Sequence, residues 1–129
     1  MPIQYSVDSE RRLLQITYIG PVTKEEIIEH REQMEYDPRG IAGFDALIDL
    51  RYGSTALTSD DIRDLALFAR RQSWPRSRRA LVTPHAASFG NMRMFGMLAE
   101  PGPREYQAFK TMKEACAWLG IELNGDDDG

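Results

Sequence analysis

The sequence has 129 residues, of which 42% are hydrophobic and 28% charged, and its formal net charge is −4 at pH 7. These values predict one soluble globular domain with a single core, and the acidic balance argues against nucleic acid as a partner. The single cysteine, Cys116, excludes an intramolecular disulfide. No apolar run reaches the roughly 18 residues of a transmembrane segment, so we expect a cytoplasmic protein.

The first part of the chain predicts a hairpin followed by a helix. Apolar and polar side chains alternate over residues 3–7 and again over residues 14–18, which indicates two strands paired antiparallel across a polar turn. Gly20, followed by a proline, is expected to end the second strand. Thr23 and Glu26 then have the spacing of a capping box, in which each side chain accepts a hydrogen bond from a free amide at the start of a helix.

The segment 43–69 is predicted to form the centre of the fold. Its strand is almost continuously apolar, interrupted only by Asp45 and Asp49, which is typical of a buried strand in an α/β sheet. A polar loop over residues 51–59 leads into a helix over residues 60–71. Because ligands and partners of such sheets tend to meet the loops at the carboxyl ends of the strands, we expect any site near this loop.

The second half of the chain predicts four more elements of the same alternating kind. They are a strand over residues 79–83, a helix from the Ser88 cap to about residue 98, an edge strand over residues 105–109, and a helix from the Thr111 cap to Gly120. The order ββαβαβαβα predicts an α/β fold with a single-layer mixed β-sheet of about five strands and four helices, joined by right-handed crossovers. We expect residues 1–122 to form this one domain and the acidic segment 123–129 to be a disordered tail.

Three segments of the chain resemble the STAS-like family, which includes the bacterial anti-sigma-factor antagonists and small STAS-like proteins of unassigned role. They are FDALIDLR at 44–51, FGNMRMF at 89–95 and FKTMKEA at 109–115. The resemblance extends over nearly the whole chain, from the first hairpin to the last helix. It implies a STAS-like fold and a non-enzymatic, regulatory module that binds another protein.

The resemblance also points to a pair of hydroxyl groups. In the antagonists, an Asp-Leu pair leads to an Asp-Ser-Ser-Gly motif at the start of the next helix, and a partner kinase phosphorylates one of those serines. Counting from the Asp-Leu at residues 49–50, the two serines correspond to Thr58 and Ser59. The motif's Asp and Gly are replaced here by Leu57 and Asp60, so only the hydroxyls of the motif are retained.

Two interpretations of Thr58 and Ser59 remain open from the sequence. A phosphate at a helix N-terminus is stabilised by free amides and by the positive end of the helix dipole, which predicts a phosphoacceptor or partner-binding loop over residues 50–61. Alternatively, one of the two hydroxyls only caps the helix.

A second candidate surface is the apolar helix over residues 89–98. It carries large apolar side chains that cannot all share one face: Phe89, Met92, Met94, Phe95 and Met97. Flexible Met-rich surfaces accept apolar ligands and protein partners, so one wall of an apolar pocket is one interpretation. Core packing combined with a homodimer contact is the other.

The remaining polar groups predict no catalytic site, no metal site and no cofactor. His85 lies three residues before Ser88, but neither a third orienting group nor a Gly-x-Ser-x-Gly motif accompanies them, and His30 lies on a different, highly charged helix. Five arginines between residues 70 and 79 suit phosphates, yet they span a helix end, a loop and a strand start. We expect them to be solvated or paired within the chain, and we expect Cys116 to pack in the core.

Two functional hypotheses therefore follow from the sequence. The first is a non-enzymatic STAS-like protein-interaction module that uses the loop over residues 50–61. The second is a small-molecule or lipid-binding domain with an apolar pocket beside the helix over residues 89–98.

Overall fold

A computed structural model describes residues 2–72, 74–100 and 102–122 of the chain. Within them lie seven strands and four helices. The strands are β1 (Ile3–Asp8), β2 (Leu13–Tyr18), β3 (Gly20–Val22), β4 (Asp45–Asp49), β5 (Gly53–Thr55), β6 (Ser77–Val82) and β7 (Arg104–Phe109). The helices are α1 (Lys24–Glu35), α2 (Ser59–Arg71), α3 (Ala86–Leu98) and α4 (Met112–Leu119).

Five of the strands form the main sheet, in the order β1-β2-β4-β6-β7. β1 pairs antiparallel with β2, whereas β2, β4, β6 and β7 are parallel to one another. This mixed sheet, with four helices and with β7 at its edge, confirms the predicted α/β fold and its order of main elements.

Two apolar clusters lie on opposite faces of the main sheet, because successive side chains of a strand point to opposite sides. Ile48 and Leu81 pack with the apolar residues of α1, α2 and α3. Leu47 and Ala80 pack instead with α4, where Cys116 is buried as predicted. The face under α1, α2 and α3 holds the larger cluster, and the candidate site lies within it.

A second, two-stranded sheet is not predicted by the sequence pattern. Gly20, expected to end β2, instead begins β3, which pairs parallel with β5. The reason is local geometry, since a Cβ atom on Gly53 would lie 2.8 Å from the carbonyl oxygen of Tyr18. Only glycine lets β5 lie this close to the end of β2.

The capping predictions are mostly confirmed. Thr23 and Thr111 cap α1 and α4 through their side chains, and Gly120 ends α4 in the left-handed conformation that favours glycine. The Ser88 cap is wrong, because α3 begins at Ala86 and His85 is its N-cap without a side-chain hydrogen bond. Two alanines, which have the highest helix propensity, extend this helix towards its N-terminus.

Two further expectations concern the chain as a whole. The predicted tail over residues 123–129 lies outside the described residues. Among the helices that are described, none combines the length and the apolar character required to span a bilayer.

Candidate functional site

A cavity of about 50 Å³ lies between the main sheet and helices α1, α2 and α3. Most of its lining is apolar and comes from several elements. The sheet contributes Ile16, Ile48 and Leu81, α1 contributes Ile27, and α3 contributes Met92 and Phe95. The cavity is therefore lined by elements that are far apart in sequence.

The loop that follows β4 forms one side of this cavity. Leu50, Thr55 and Leu57 all line it. The small sheet of β3 and β5 holds this loop against the end of β2, where the backbone N–H of Gly20 donates to the carbonyl oxygen of Tyr52 at 3.0 Å. The loop over residues 50–61 thus has one side on the cavity and the other side towards solvent.

Thr58 and Ser59 lie at the end of this loop, and both are exposed. Thr58 is the N-cap of α2: its Oγ1 accepts a hydrogen bond from the backbone N–H of Asp61 at 3.1 Å, and its own N–H donates to Asp61 Oδ2 at 3.0 Å. Ser59 is the first helical residue. The capping interpretation accounts for Thr58, and the carboxylates of Asp60 and Asp61 in the first turn disfavour an added phosphate.

The five apolar residues predicted on α3 are divided among three environments. Met92 and Phe95 are buried and line the cavity. Phe89 and Met94 are half-buried, and Met97 is 66% exposed. Helix α3 therefore lines the cavity with one face, the face that carries Met92 and Phe95.

The charged side chains of the lining are two arginines, Arg31 and Arg79. Arg79, on the central strand β6, is only 2% exposed, and its Nε and Nη2 atoms have no hydrogen-bond partner within the described residues. Arg31, on α1, also lines the cavity and donates from Nη1 to the carbonyl oxygen of Leu65 at 3.3 Å. Arg104 flanks this site from β7, where it donates to the carbonyl oxygen of Ala42 at 3.1 Å.

The titrating groups report a positive potential around Arg79. Burial, followed by the charge of Arg104, lowers the pKa of Arg79 to about 9, so its guanidinium stays charged at pH 7. Burial and the same arginines, together with Arg31, lower the pKa of His30 to about 4. Burial alone would raise the pKa of Tyr106, but the three guanidinium groups outweigh it and lower that pKa. The cavity therefore favours negative charge.

A comparison with solved structures shows what this architecture resembles. An uncharacterised protein of the DUF3478 family from Shewanella loihica PV-4, with a SpoIIAA-like fold, is similar to the chain with a TM-score of 0.58. The two are 20% identical, over 91% of this chain and 93% of the other. This chain has a SpoIIAA-like fold. This finding confirms the STAS-like fold that the sequence predicts. No protein-family model and no curated protein matches the sequence.

For two residues of the SpoIIAA-like core, the structure contradicts the interpretation made from the sequence. His30, assigned to a charged surface helix, is 6% exposed and lines the cavity, because Ile27 and Met34 lie three and four residues away on the same helical face. Arg79, grouped with solvated or paired arginines, is only 2% exposed, and its Nε and Nη2 have no partner within the described residues. The periodicity of the strand could have revealed this burial, since Leu81, two residues further along β6, faces the same side of the sheet.

The other four members of the arginine cluster do not join Arg79 in one site. Arg70, Arg71 and Arg76 are exposed. Arg78 is half-buried and donates to the carbonyl oxygens of Trp118 at 2.6 Å and Leu119 at 3.3 Å, at the C-terminus of α4. These contacts agree with the expectation of solvated or internally paired side chains for these four.

Proposed function

We propose that this protein is a non-enzymatic binding module whose cavity takes a small, largely apolar ligand between the sheet and helices α1, α2 and α3. The observation that carries the proposal is the cavity of about 50 Å³ with its mostly apolar lining. Protein interiors are close-packed, and a void of roughly 10–15 Å³ already holds one water molecule. A space several times larger, walled by apolar side chains and a few polar groups, has the composition of a ligand site.

The proposal is tested by titrating ¹⁵N-labelled protein with two neutral apolar probes, benzene and 1-hexanol, and following the backbone amide shifts by NMR. Methionines on α3 supply a matched pair of variants, because Met92 lines the cavity and Met97 is exposed on the same helix. Met92→Trp should weaken probe binding by about tenfold or more, or about 1.4 kcal/mol, because the larger side chain occupies space that the probe needs. Met97→Trp should leave it unchanged.

Both variants are first checked for folding by circular dichroism. If Met92→Trp does not fold, Met92→Ala replaces it, and the enlarged cavity should bind benzene more tightly than the wild-type cavity does. Equal binding by wild type, the Met92 variant and Met97→Trp would contradict the proposal, and so would saturating probe without any shift at cavity residues.

A second candidate function is protein interaction through the loop over residues 50–61, supported by the exposure of its outer side. Tyr52 on this loop is 64% exposed, and Thr58 and Ser59 lie beyond it at the start of α2. Because the inner side of the loop lines the cavity, a ligand would alter the surface that a partner protein meets. This would make the module regulatory, in the manner that the STAS-like resemblance implies.

The loop hypothesis is tested by affinity capture from the source organism, with each bound protein quantified by mass spectrometry. Tyr52→Ala should lose a specific partner, whereas Tyr36→Ala, which changes a tyrosine that is 80% exposed elsewhere, should retain it. Thr58→Glu and Ser59→Glu test the phosphoacceptor version. If neither glutamate variant changes any partner, the phosphoacceptor role is wrong.

A further inference from the structure

Two side chains that line the cavity carry buried nitrogen atoms for which the described residues supply no hydrogen-bond partner. Within the described residues, Nε and Nη2 of Arg79 and Nε2 of His30 are buried without a partner. Nε and Nη2 are the two donors on one edge of a guanidinium group, so they point in the same direction and lie in one plane. This edge matches the two oxygens of a carboxylate.

The charge of the lining is also uncompensated. Arg31 and Arg79 both line the cavity, and none of the described lining residues is Asp or Glu. A buried guanidinium without a counter-charge is costly, because it has lost water and gained no ionic partner. An anion that enters the cavity would supply both the missing charge and the missing acceptors.

Resting on the ligand-binding function proposed above, we infer that the ligand is an organic monocarboxylate with a short alkyl or aryl tail. Its carboxylate accepts hydrogen bonds from Nε and Nη2 of Arg79. Its tail contacts apolar residues of the lining, such as Leu57, Met92 and Phe95. The volume of about 50 Å³ gives room for several water molecules, which limits the tail to a short chain.

The inference is tested by NMR or calorimetric titration with n-alkyl carboxylates from butanoate to octanoate. The alcohols and amines of the same chain length are the matched neutral and cationic probes. Butanoate or hexanoate should bind about tenfold or more tightly than its alcohol, because hydrogen bonds to charged groups are among the stronger ones. The amines should not bind detectably, since the cavity is already positive.

Substitutions of Arg79 test whether this residue binds the carboxylate. Arg79→Met should reduce carboxylate binding to the level that the same variant shows for the alcohol of equal chain length. Arg93→Met, on the exposed side of α3, is the control and should bind as the wild type does. If Arg79→Met does not fold, Arg79→Lys retains the charge but not the planar donor pair, and it should still weaken carboxylate binding severalfold.

The possible outcomes distinguish failure of the monocarboxylate inference from failure of the proposed ligand-binding function. Alcohols that bind as tightly as carboxylates would overturn the anion assignment and leave the apolar cavity as a ligand site. Tighter binding of alkyl phosphates than of carboxylates would overturn the monocarboxylate class. Carboxylate binding that survives the Arg79 substitutions would overturn the role of Arg79, and absence of binding by every probe would refute both proposals.

Discussion

Replacing Arg79 by methionine should make the protein more stable. Most substitutions in a core destabilise, yet this one removes a charge that is 2% exposed and whose Nε and Nη2 have no partner within the described residues. Methionine has a long, flexible apolar side chain that can occupy the path of the arginine stem. Its neighbours Ile48 and Leu81 offer apolar contacts on the same face of the sheet.

The expected gain follows from two terms. Each buried donor left unsatisfied costs about 1–3 kcal/mol, and replacing buried ionic groups by apolar residues of similar volume stabilises by about 1–4 kcal/mol. Because the apolar replacement fits imperfectly, we expect a net gain of about 2–4 kcal/mol in the free energy of unfolding. For a domain of this size, that gain raises the melting temperature by on the order of 10 °C.

The measurement is urea unfolding of wild type and Arg79→Met at pH 7, followed by circular dichroism. Arg93→Met on the exposed side of α3 is the control, and its stability should stay within about 0.5 kcal/mol of wild type. Loss of more than about 1 kcal/mol in Arg79→Met, with an unchanged control, would show that the guanidinium is well satisfied in the folded protein. The case for an anion site at Arg79 would then lose its basis.

Three further predictions concern other parts of the fold. Burial lowers the pKa of His30 from 6.5 to about 4, so the unfolded state binds a proton first as the pH falls. The free energy of unfolding should therefore drop by about 2–3 kcal/mol between pH 7 and pH 4.5, and His30→Gln should lose this pH dependence in urea unfolding. Thr58→Ala should cost about 1 kcal/mol through the lost helix cap, whereas Ser59→Ala should change thermal stability by less than about 0.5 kcal/mol. Gly96→Ala should destabilise the protein by roughly 1–3 kcal/mol, since its Cβ would lie 2.9 Å from a carbonyl oxygen of β7. Gly90→Ala, whose Cβ would have nothing within 4 Å, should instead stabilise α3 by up to about 1 kcal/mol in the same assay.

The main sheet and its helices are predictable because local periodicity and packing agree in them. The alternation over β1 and β2 and the apolar run of β4 each have one arrangement that buries their side chains. The spacing of Thr23 and Glu26 sets the start of α1 through hydrogen bonds between close neighbours. Such signals are contained within a few residues, so a single sequence is sufficient to find them.

The small sheet of β3 and β5 is different, because its cause is not local. Gly53 can approach Tyr18 only after β2 and β4 have paired side by side. A three-residue strand has too few positions for periodicity to be visible. The closing of the cavity by the loop over residues 50–61 therefore follows from the tertiary structure and not from the sequence of the loop.

Only part of the candidate site could be predicted from the sequence, because Arg79 conflicts with the apolar character expected of a buried strand. Every local rule places a buried strand residue of β6 among the aliphatic types, and Ala80, Leu81 and Val82 obey that rule. Arg79 breaks it, on a central strand and beside two further arginines whose charges lower its pKa. A sequence that agrees with its fold at every other level is expected to violate such a rule where a site needs it. A carboxylate that pairs with Arg79 would offset part of the cost of burying its guanidinium, so stability and carboxylate affinity should change in opposite directions in Arg79→Met.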